Sequence, residues 1–122
     1  MTGLDFSVLA EYYPMLLAGL VWTCILCACS IALSLVAGVP LSVASISRNR
    51  GLRSITRFFL WIFRGTPLLL QLFLIYFGLP QIGIYLSPMA AGIIGLGVHY
   101  AVYNADVMAA GIVAIESGQH EA

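Results

Sequence analysis

Polar and ionisable side chains recur along one stretch of an otherwise apolar chain. His99, Tyr103 and Asp106 are four and three residues apart, so a helix would place them on one face. Tyr100 and Asn104 lie beside that face. A carboxylate at membrane depth is costly in lipid, so this face is expected to line a wet cavity. A structural alternative stays open, in which His99 and Asp106 only form hydrogen bonds inside a helix bundle.

Two more polar residues precede this stretch. Gln71 stands inside the apolar run Pro67–Phe77, and because a buried amide needs partners, it either joins two helices or faces the cavity. Arg64 is expected to extend its guanidinium to the inner lipid headgroups, in preference to touching a solute.

The sequence offers no catalytic or metal site. Cys24, Cys27 and Cys29 superficially resemble a metal motif, but no basic residue lies nearby to favour the thiolates that zinc requires. We interpret them as small side chains that pack against helices. The chain also lacks a nucleophile–base pair and an HExxH motif. We therefore predict a protein that is not an enzyme and holds neither a metal nor a cofactor.

Composition indicates an integral membrane protein. Of the 122 residues, 61% are hydrophobic and 8% are charged, whereas a soluble domain carries about 25% charged residues. The net charge is zero and lysine is absent. The lack of net positive charge argues against a nucleic-acid partner. The lack of lysine excludes a Walker phosphate loop. Any nucleotide hydrolysis linked to this protein must come from another chain.

Basic residues set the orientation. All five are arginines within residues 48–64, namely Arg48, Arg50, Arg53, Arg57 and Arg64. Basic loops stay on the cytoplasmic side of a membrane, so the stretch before this block crosses from outside to inside. The N-terminus is therefore expected outside.

Hydropathy predicts an all-α, multi-pass transmembrane fold with three spans. The spans run over about residues 15–46, 58–78 and 88–115. Residues 1–13 are interpreted as an interfacial leader, with Pro14 in the first turn of span one. Residues 47–54 form the basic loop. The middle span is expected to be kinked, with Thr66 capping and Pro67 beginning its second part.

Small residues predict where helices meet. The stripe on the third span consists of Gly97, Ala101, Ala105 and Ala109, which recur every four residues. Such a stripe allows another helix to approach closely. Four serines of the first span, Ser30, Ser34, Ser42 and Ser45, can donate to carbonyls of their own helix and so need no functional role.

Four segments resemble one family. The run Arg64–Pro80, RGTPLLLQLFLIYFGLP, resembles the signature of polar amino-acid ABC transporter permeases. The segments Leu86–Pro88 and Tyr100–Asp106 resemble parts of that family's third span. Residues 118–122 resemble the opening of its cytoplasmic EAA loop, which docks on the ATP-binding subunit. The docking positions so implied are Gly118, Gln119, Glu121 and Ala122.

The resemblance implies a permease subunit of an ATP-driven importer for a polar amino acid, in a bacterial inner membrane. It implies three protein partners: a second permease subunit, an ATP-binding subunit and an extracytoplasmic solute-binding protein. ATP would act on the partner subunit. The implied solute pathway contains Gln71, His99, Tyr100, Tyr103, Asn104 and Asp106.

The chain also departs from that family. The family usually has five spans, so residues 1–122 are expected to be a permease domain truncated at the start of the EAA loop. Ala109 stands where an arginine is typical, and Glu116-Ser117 stands where Pro-Lys is typical. Two alternatives remain: a stand-alone three-span structural or helper subunit, and an ion-coupled carrier that uses His99 and Asp106.

Overall fold

The computed structural model describes the backbone of residues 6–120 and the side chains of residues 6–115. Within that range the chain is helical and forms no strand. The four α-helices are α1 (Ser7–Ser45), α2 (Arg50–Gly65), α3 (Leu68–Phe73) and α4 (Pro88–His120). After α3, a π-helical turn (Leu74–Gly78) and a 3₁₀ turn (Leu79–Ile82) extend the same segment. The predicted all-α fold is confirmed.

Helix α1 is longer at its start than the sequence predicted. It begins at Ser7, so part of the expected leader is helical and Pro14 lies inside the helix rather than in its first turn. The helix also continues through Pro40. Each proline removes one backbone hydrogen bond, but an apolar surround offers no other partner for the remaining backbone groups. Helix formation therefore outweighs the local cost of both prolines.

Helix α2 begins inside the segment expected to be a loop. The side chain of Asn49 accepts hydrogen bonds from the backbone N–H of Gly51 (3.0 Å) and of Leu52 (3.3 Å). This cap starts the helix at Arg50, so five of the eight residues in the expected loop 47–54 are helical. Four of the five arginines of the basic block consequently lie on a helix and not on a flexible connection.

The kink between α2 and α3 is a sharp bend of 102°. Thr66 has an extended backbone (φ −103°, ψ 135°), as expected for a residue before proline, and it ends α2. Pro67 precedes the first residue of α3, and the Thr66 hydroxyl donates to the carbonyl of Phe63. Thr66 therefore does not cap the second helix, as the sequence suggested; it closes the first.

The outer connection ends at a glycine that its backbone requires. Gly83 has a φ of +86°, a conformation that residues with a Cβ atom rarely adopt. Its N–H donates to the carbonyl of Pro80, and the N–H of Ile84 donates to that of Leu79. After an extended stretch, the Ser87 hydroxyl accepts from the N–H of Ala90, which confirms the predicted start of α4 at Ser87-Pro88.

Helices α1 and α4 pack along each other and run in the same direction. Leu26 lies against Gly92, Leu33 against Gly97, and Gly38 against Asn104. The sequence separation of these pairs stays near 65 residues, which is the register of a parallel pair. The small stripe of α4 forms this contact, with Ala101 and Ala105 both 0% exposed. The predicted close approach is confirmed.

The parallel arrangement constrains the segment between the two helices. If α1 leads from outside to inside and α4 repeats that direction, residues 46–87 must return across the membrane. Helices α1 and α4 are each long and apolar enough to span, and α2 with the segment Leu68–Ile82 forms a bent third crossing if taken together. Because of the bend, α2 adds little length along the axis of α3. The predicted middle span over residues 58–78 contains that bend.

We predict that Gly97→Ala destabilises the α1–α4 contact. A Cβ atom at position 97 would lie 2.6 Å from Cδ2 and 3.0 Å from Cβ of Leu33, so the helices would have to separate. Overpacking of this kind costs about 1–3 kcal/mol. The matched control is Gly111→Ala, where nothing lies within 4 Å of the added atom. Thermal unfolding in detergent should show a lower midpoint for the first variant only, and equal midpoints would contradict the tight contact.

Candidate functional site

Gln71 is the central polar residue of the bend between α2 and α3. Its side chain is only 6% exposed. The amide nitrogen donates to the Phe63 carbonyl (2.9 Å), the Thr66 carbonyl (3.2 Å) and the Thr66 hydroxyl (2.7 Å). These carbonyls are left free because α2 ends there. Gln71 therefore satisfies the broken end of one helix from the first turn of the next.

His99 connects this bend to α4. Its Nδ1 lies 3.1 Å from the Gln71 amide oxygen. Because the Gln71 nitrogen is used as a donor, its oxygen is the acceptor, and the imidazole donates from Nδ1. The ring centroid of His99 is 5.3 Å from that of Tyr100 and 5.2 Å from that of Tyr103. Of the two readings left open for Gln71, the structure shows a helix–helix hydrogen bond.

Arg64 and Asp106 form an ion pair across the same junction. The guanidinium Nη1 is 2.6 Å from the carboxylate Oδ2, and the side chains are 43% and 40% exposed. The Arg64 Nε also donates to the Leu60 carbonyl at 3.4 Å. The structure thus pairs Arg64 with a carboxylate of α4, a partner that the sequence analysis did not predict.

Asn104 belongs to a different surface from the other polar residues of α4. Its amide nitrogen donates to the Ser34 hydroxyl at 3.0 Å, inside the α1–α4 interface. The Ser34 hydroxyl in turn donates to the carbonyl of Ile31. Ser34 thus makes the predicted bond to its own helix and in addition fixes Asn104. The bond to its own helix was predicted, and the bond to Asn104 was not.

Tyr100 and Tyr103 keep large exposed areas, 50% and 42% respectively. The six predicted pathway residues therefore divide into three sets. Gln71, His99 and Asp106 hold the bend against α4, Asn104 holds α1, and the two tyrosines face outward. His99 and Asp106 are two helical turns apart, about 10 Å along the axis, so they form separate contacts.

Two cavities flank these contacts. One of about 310 Å³ lies between α2, α3 and α4, and Phe63, Thr66, Gln71 and Val98 are among its lining residues. A second of about 340 Å³ lies between α1 and α4 beside Ser30 and Tyr100. The walls of both are mainly apolar. The first is large enough for a small side chain.

Most of the predicted docking segment lies outside the described residues. Gly118 belongs to α4, whereas the side chain of Gln119 and the whole of Glu121 and Ala122 are not described. Cys24, Cys27 and Cys29 are free thiols on the exposed side of α1. Among residues 6–115 no three His, Cys, Asp or Glu side chains gather closely enough to hold a metal ion.

Sequence reasoning missed the backbone acceptors at the bend. The carbonyls of Phe63 and Thr66 are revealed only once α2 stops before Pro67, and their partner Gln71 is four residues beyond that proline. The available signal was the lone amide placed one turn after a helix break. The pairing of Arg64 with Asp106 had no comparable signal, since 41 residues separate them in the sequence.

Curated proteins similar to this chain are permeases of amino-acid transport systems. The chain is 40% identical over 121 residues to the arginine transport system permease protein ArtQ of Bacillus subtilis, covering 98% of this chain and 55% of that protein. It is 38% identical to the putative glutamine transport system permease protein GlnP of Rickettsia felis, covering 96% and 56% respectively. The chain thus spans about half the length of the curated relatives it matches. No protein-family model matches the chain.

A solved structure shares the fold. The crystal structure of an amino acid ABC transporter with histidines aligns with a TM-score of 0.90 and 31% sequence identity. The alignment covers 98% of this chain and 56% of that chain. The aligned region therefore includes the parallel α1–α4 pair and the bend between α2 and α3.

We predict that Gln71→Leu destabilises the bend. The substitution would leave the Thr66 carbonyl and the His99 nitrogen without their partner, and unsatisfied buried groups cost about 1–3 kcal/mol each. The Phe63 carbonyl would keep only the Thr66 hydroxyl as a donor. The control is Gln81→Leu, since Gln81 is exposed on the outer turn. Thermal unfolding in detergent or nanodiscs measures the difference, and similar midpoints for both variants would remove Gln71 from the role assigned to it.

We predict that Arg64 and Asp106 are energetically coupled. A double-mutant cycle with Arg64→Gln and Asp106→Asn should give a coupling of about 0.5–1 kcal/mol, as expected for a half-exposed ion pair. Each single change leaves one charge unpaired, whereas the double change removes both. Unfolding midpoints of the four proteins give the coupling, and strictly additive effects would mean that the ion pair contributes nothing.

Proposed function

Since this chain is a homologue of the polar amino-acid ABC transporter permeases, we propose that it forms part of the membrane pathway of an ATP-driven importer for a polar amino acid. The single observation that carries the proposal is the whole-chain structural match to an amino acid ABC transporter. It includes the long apolar helices and the bend, and it agrees with the names of the curated relatives.

The proposed partners follow from that assignment. A second permease subunit completes the pathway, an extracytoplasmic binding protein delivers the solute, and an ATP-binding subunit docks on the cytoplasmic side of a bacterial inner membrane. Docking is proposed at the positions Gly118, Gln119, Glu121 and Ala122. ATP binds and is hydrolysed on that partner, because this chain has no lysine for a phosphate loop. The chain itself is proposed to be a transport subunit and not an enzyme.

We propose that two residues of α4 face the solute and that its other polar residues have structural roles. The phenols of Tyr100 and Tyr103 are exposed enough to meet a polar solute, and the cavity beside Gln71 adjoins the same helix. His99 and Asp106 act mainly by fixing the bend against α4, since both are engaged within the chain. Asn104 acts on the α1–α4 interface.

The comparisons favour this function over a stand-alone helper subunit or an ion-coupled carrier. An ion-coupled carrier would need His99 or Asp106 to exchange protons, yet Asp106 already has a counter-charge and His99 a fixed amide partner. The deciding experiment is uptake of radiolabelled arginine, glutamine and histidine by vesicles that contain the full-length gene product and its partners. Uptake should need ATP and persist when an uncoupler removes the proton gradient. Uptake that survives ATP depletion would contradict the proposal.

We predict that His99→Ala and Asp106→Ala reduce ATP-dependent uptake by about tenfold or more, because each releases one connection between the bend and α4. The control is Thr23→Ala. Thr23 is an exposed residue of α1 whose hydroxyl donates to the Gly19 carbonyl of its own helix. Ser34 is unsuitable as a control because it also accepts from Asn104. Membrane levels measured by immunoblot normalise the rates, and uptake equal to that of Thr23→Ala would contradict the assignment.

A further inference from the structure

Helix α2 lies at the level where the inner end of α1 meets α4. Its residue Leu60 packs with Val102 and Ala105, and its residue Arg64 pairs with Asp106. The α1–α4 register places Gly38 beside Asn104, so the last two turns of α1 reach the same height as this contact. From Pro88 to Asp106 the helix rises about 27 Å, close to the roughly 30 Å of a hydrocarbon core. Helix α2 is therefore at the inner boundary of the membrane.

The bend sets the direction of α2 relative to that boundary. The segment from α3 onward follows α4 in the opposite sense, with Gln71 beside His99 and Tyr76 in a groove shared with Pro88 and Gly92. Since α2 turns away from this segment by 102°, it runs across the crossing direction and along the membrane plane.

The two kinds of side chain on α2 fit such a position. Large apolar side chains are exposed along it: Ile55 (71%), Phe58 (61%) and Trp61 (69%). Four arginines, Arg50, Arg53, Arg57 and Arg64, recur at intervals of three, four and seven residues, which places them on one side of the helix. A helix with an apolar face and a cationic edge is typical of segments that lie in the membrane interface.

The arginines divide into those used inside the chain and those that are free to bind. Arg64 pairs with Asp106, and Arg53 donates to the Ser47 carbonyl at 3.3 Å. Arg50 and Arg57 are exposed, and over residues 6–115 no acidic side chain pairs with either of them. The carboxylate nearest to this helix is already taken by Arg64. The side chains of α2 that lack a counter-charge within residues 6–115 are therefore all positive.

We propose that α2 is an interfacial helix whose Arg50 and Arg57 bind the anionic headgroups of phospholipids in the cytoplasmic leaflet. A lipid suits both faces at once, because its acyl chains cover Ile55, Phe58 and Trp61 while its phosphate neutralises the guanidinium groups. An acidic protein surface would meet the arginines but leave the neighbouring apolar side chains exposed. The inference does not depend on which solute is transported.

The first test measures which lipids the chain retains. Native mass spectrometry of the purified full-length gene product, exchanged into detergent with equal phosphatidylglycerol and phosphatidylcholine, should show preferential retention of phosphatidylglycerol. Arg50→Gln with Arg57→Gln should lower that preference by about fivefold or more, because each arginine near an anionic surface contributes to binding. The matched control, Arg50→Lys with Arg57→Lys, keeps both charges and should keep most of the preference.

Three results would overturn the proposal: no preference in the parent chain, an unchanged preference in the glutamine variant, or an equal loss in the lysine variant. The last would indicate a contact that needs the guanidinium shape, as a protein partner can require.

A second measurement reports the position of α2 without any charge change. In a Trp22→Phe background Trp61 is the single remaining tryptophan. Brominated lipids in phosphatidylglycerol-containing vesicles should quench Trp61 most strongly when bromine lies near the carboxyl end of the acyl chain. Strongest quenching by bromine near the chain end would place Trp61 deep in the membrane and overturn the in-plane position of α2.

Discussion

The close parallel contact between α1 and α4 is the constraint on which the rest of the structure depends. Two helices meet side by side in lipid only when small residues let the backbones approach, since apolar side chains gain nothing by leaving one apolar solvent for another. Ala101 and Ala105 of α4 are fully buried, and Ser34, Gly38 and Ser42 lie on the facing side of α1. A parallel pair built this way forces the chain between the helices to cross back.

That return crossing explains the bend. The segment after Pro67 can follow α4 upward only after the chain has left the end of α1, and α2 provides the lateral distance. A helix end inside a membrane protein exposes carbonyls that no water satisfies. Gln71 resolves this by donating to two carbonyls and one hydroxyl of the preceding helix end, and its oxygen then accepts from His99. The break and its attachment to α4 thus depend on the same side chain.

Sequence reasoning reached those features whose cause is local or periodic. Hydropathy gave the two long helices, the four-residue recurrence from Gly97 gave the contact face of α4, and Ser87-Pro88 gave its start. The failures have physical reasons of two kinds. Asn49 caps α2 earlier than the arginine-rich composition suggested, because capping depends on one side chain and not on average polarity. Pro14 was given too much weight as a first-turn residue, because propensity measured in water underestimates helix formation where water is absent.

Pairings between distant residues were beyond the sequence alone. Asp106 was correctly singled out as costly in lipid, yet its partner Arg64 was assigned to headgroups, because no local pattern distinguishes a counter-charge 42 residues away from a phosphate. Resolving that pairing changes how the arginine block is understood. Among the arginines that orient the chain, Arg64 pairs with Asp106 and Arg53 donates to the Ser47 carbonyl in the turn before α2. Arg50 and Arg57, on the exposed edge of α2, therefore remain available to lipid. The same helix that turns the chain is then the part that fixes its depth in the membrane.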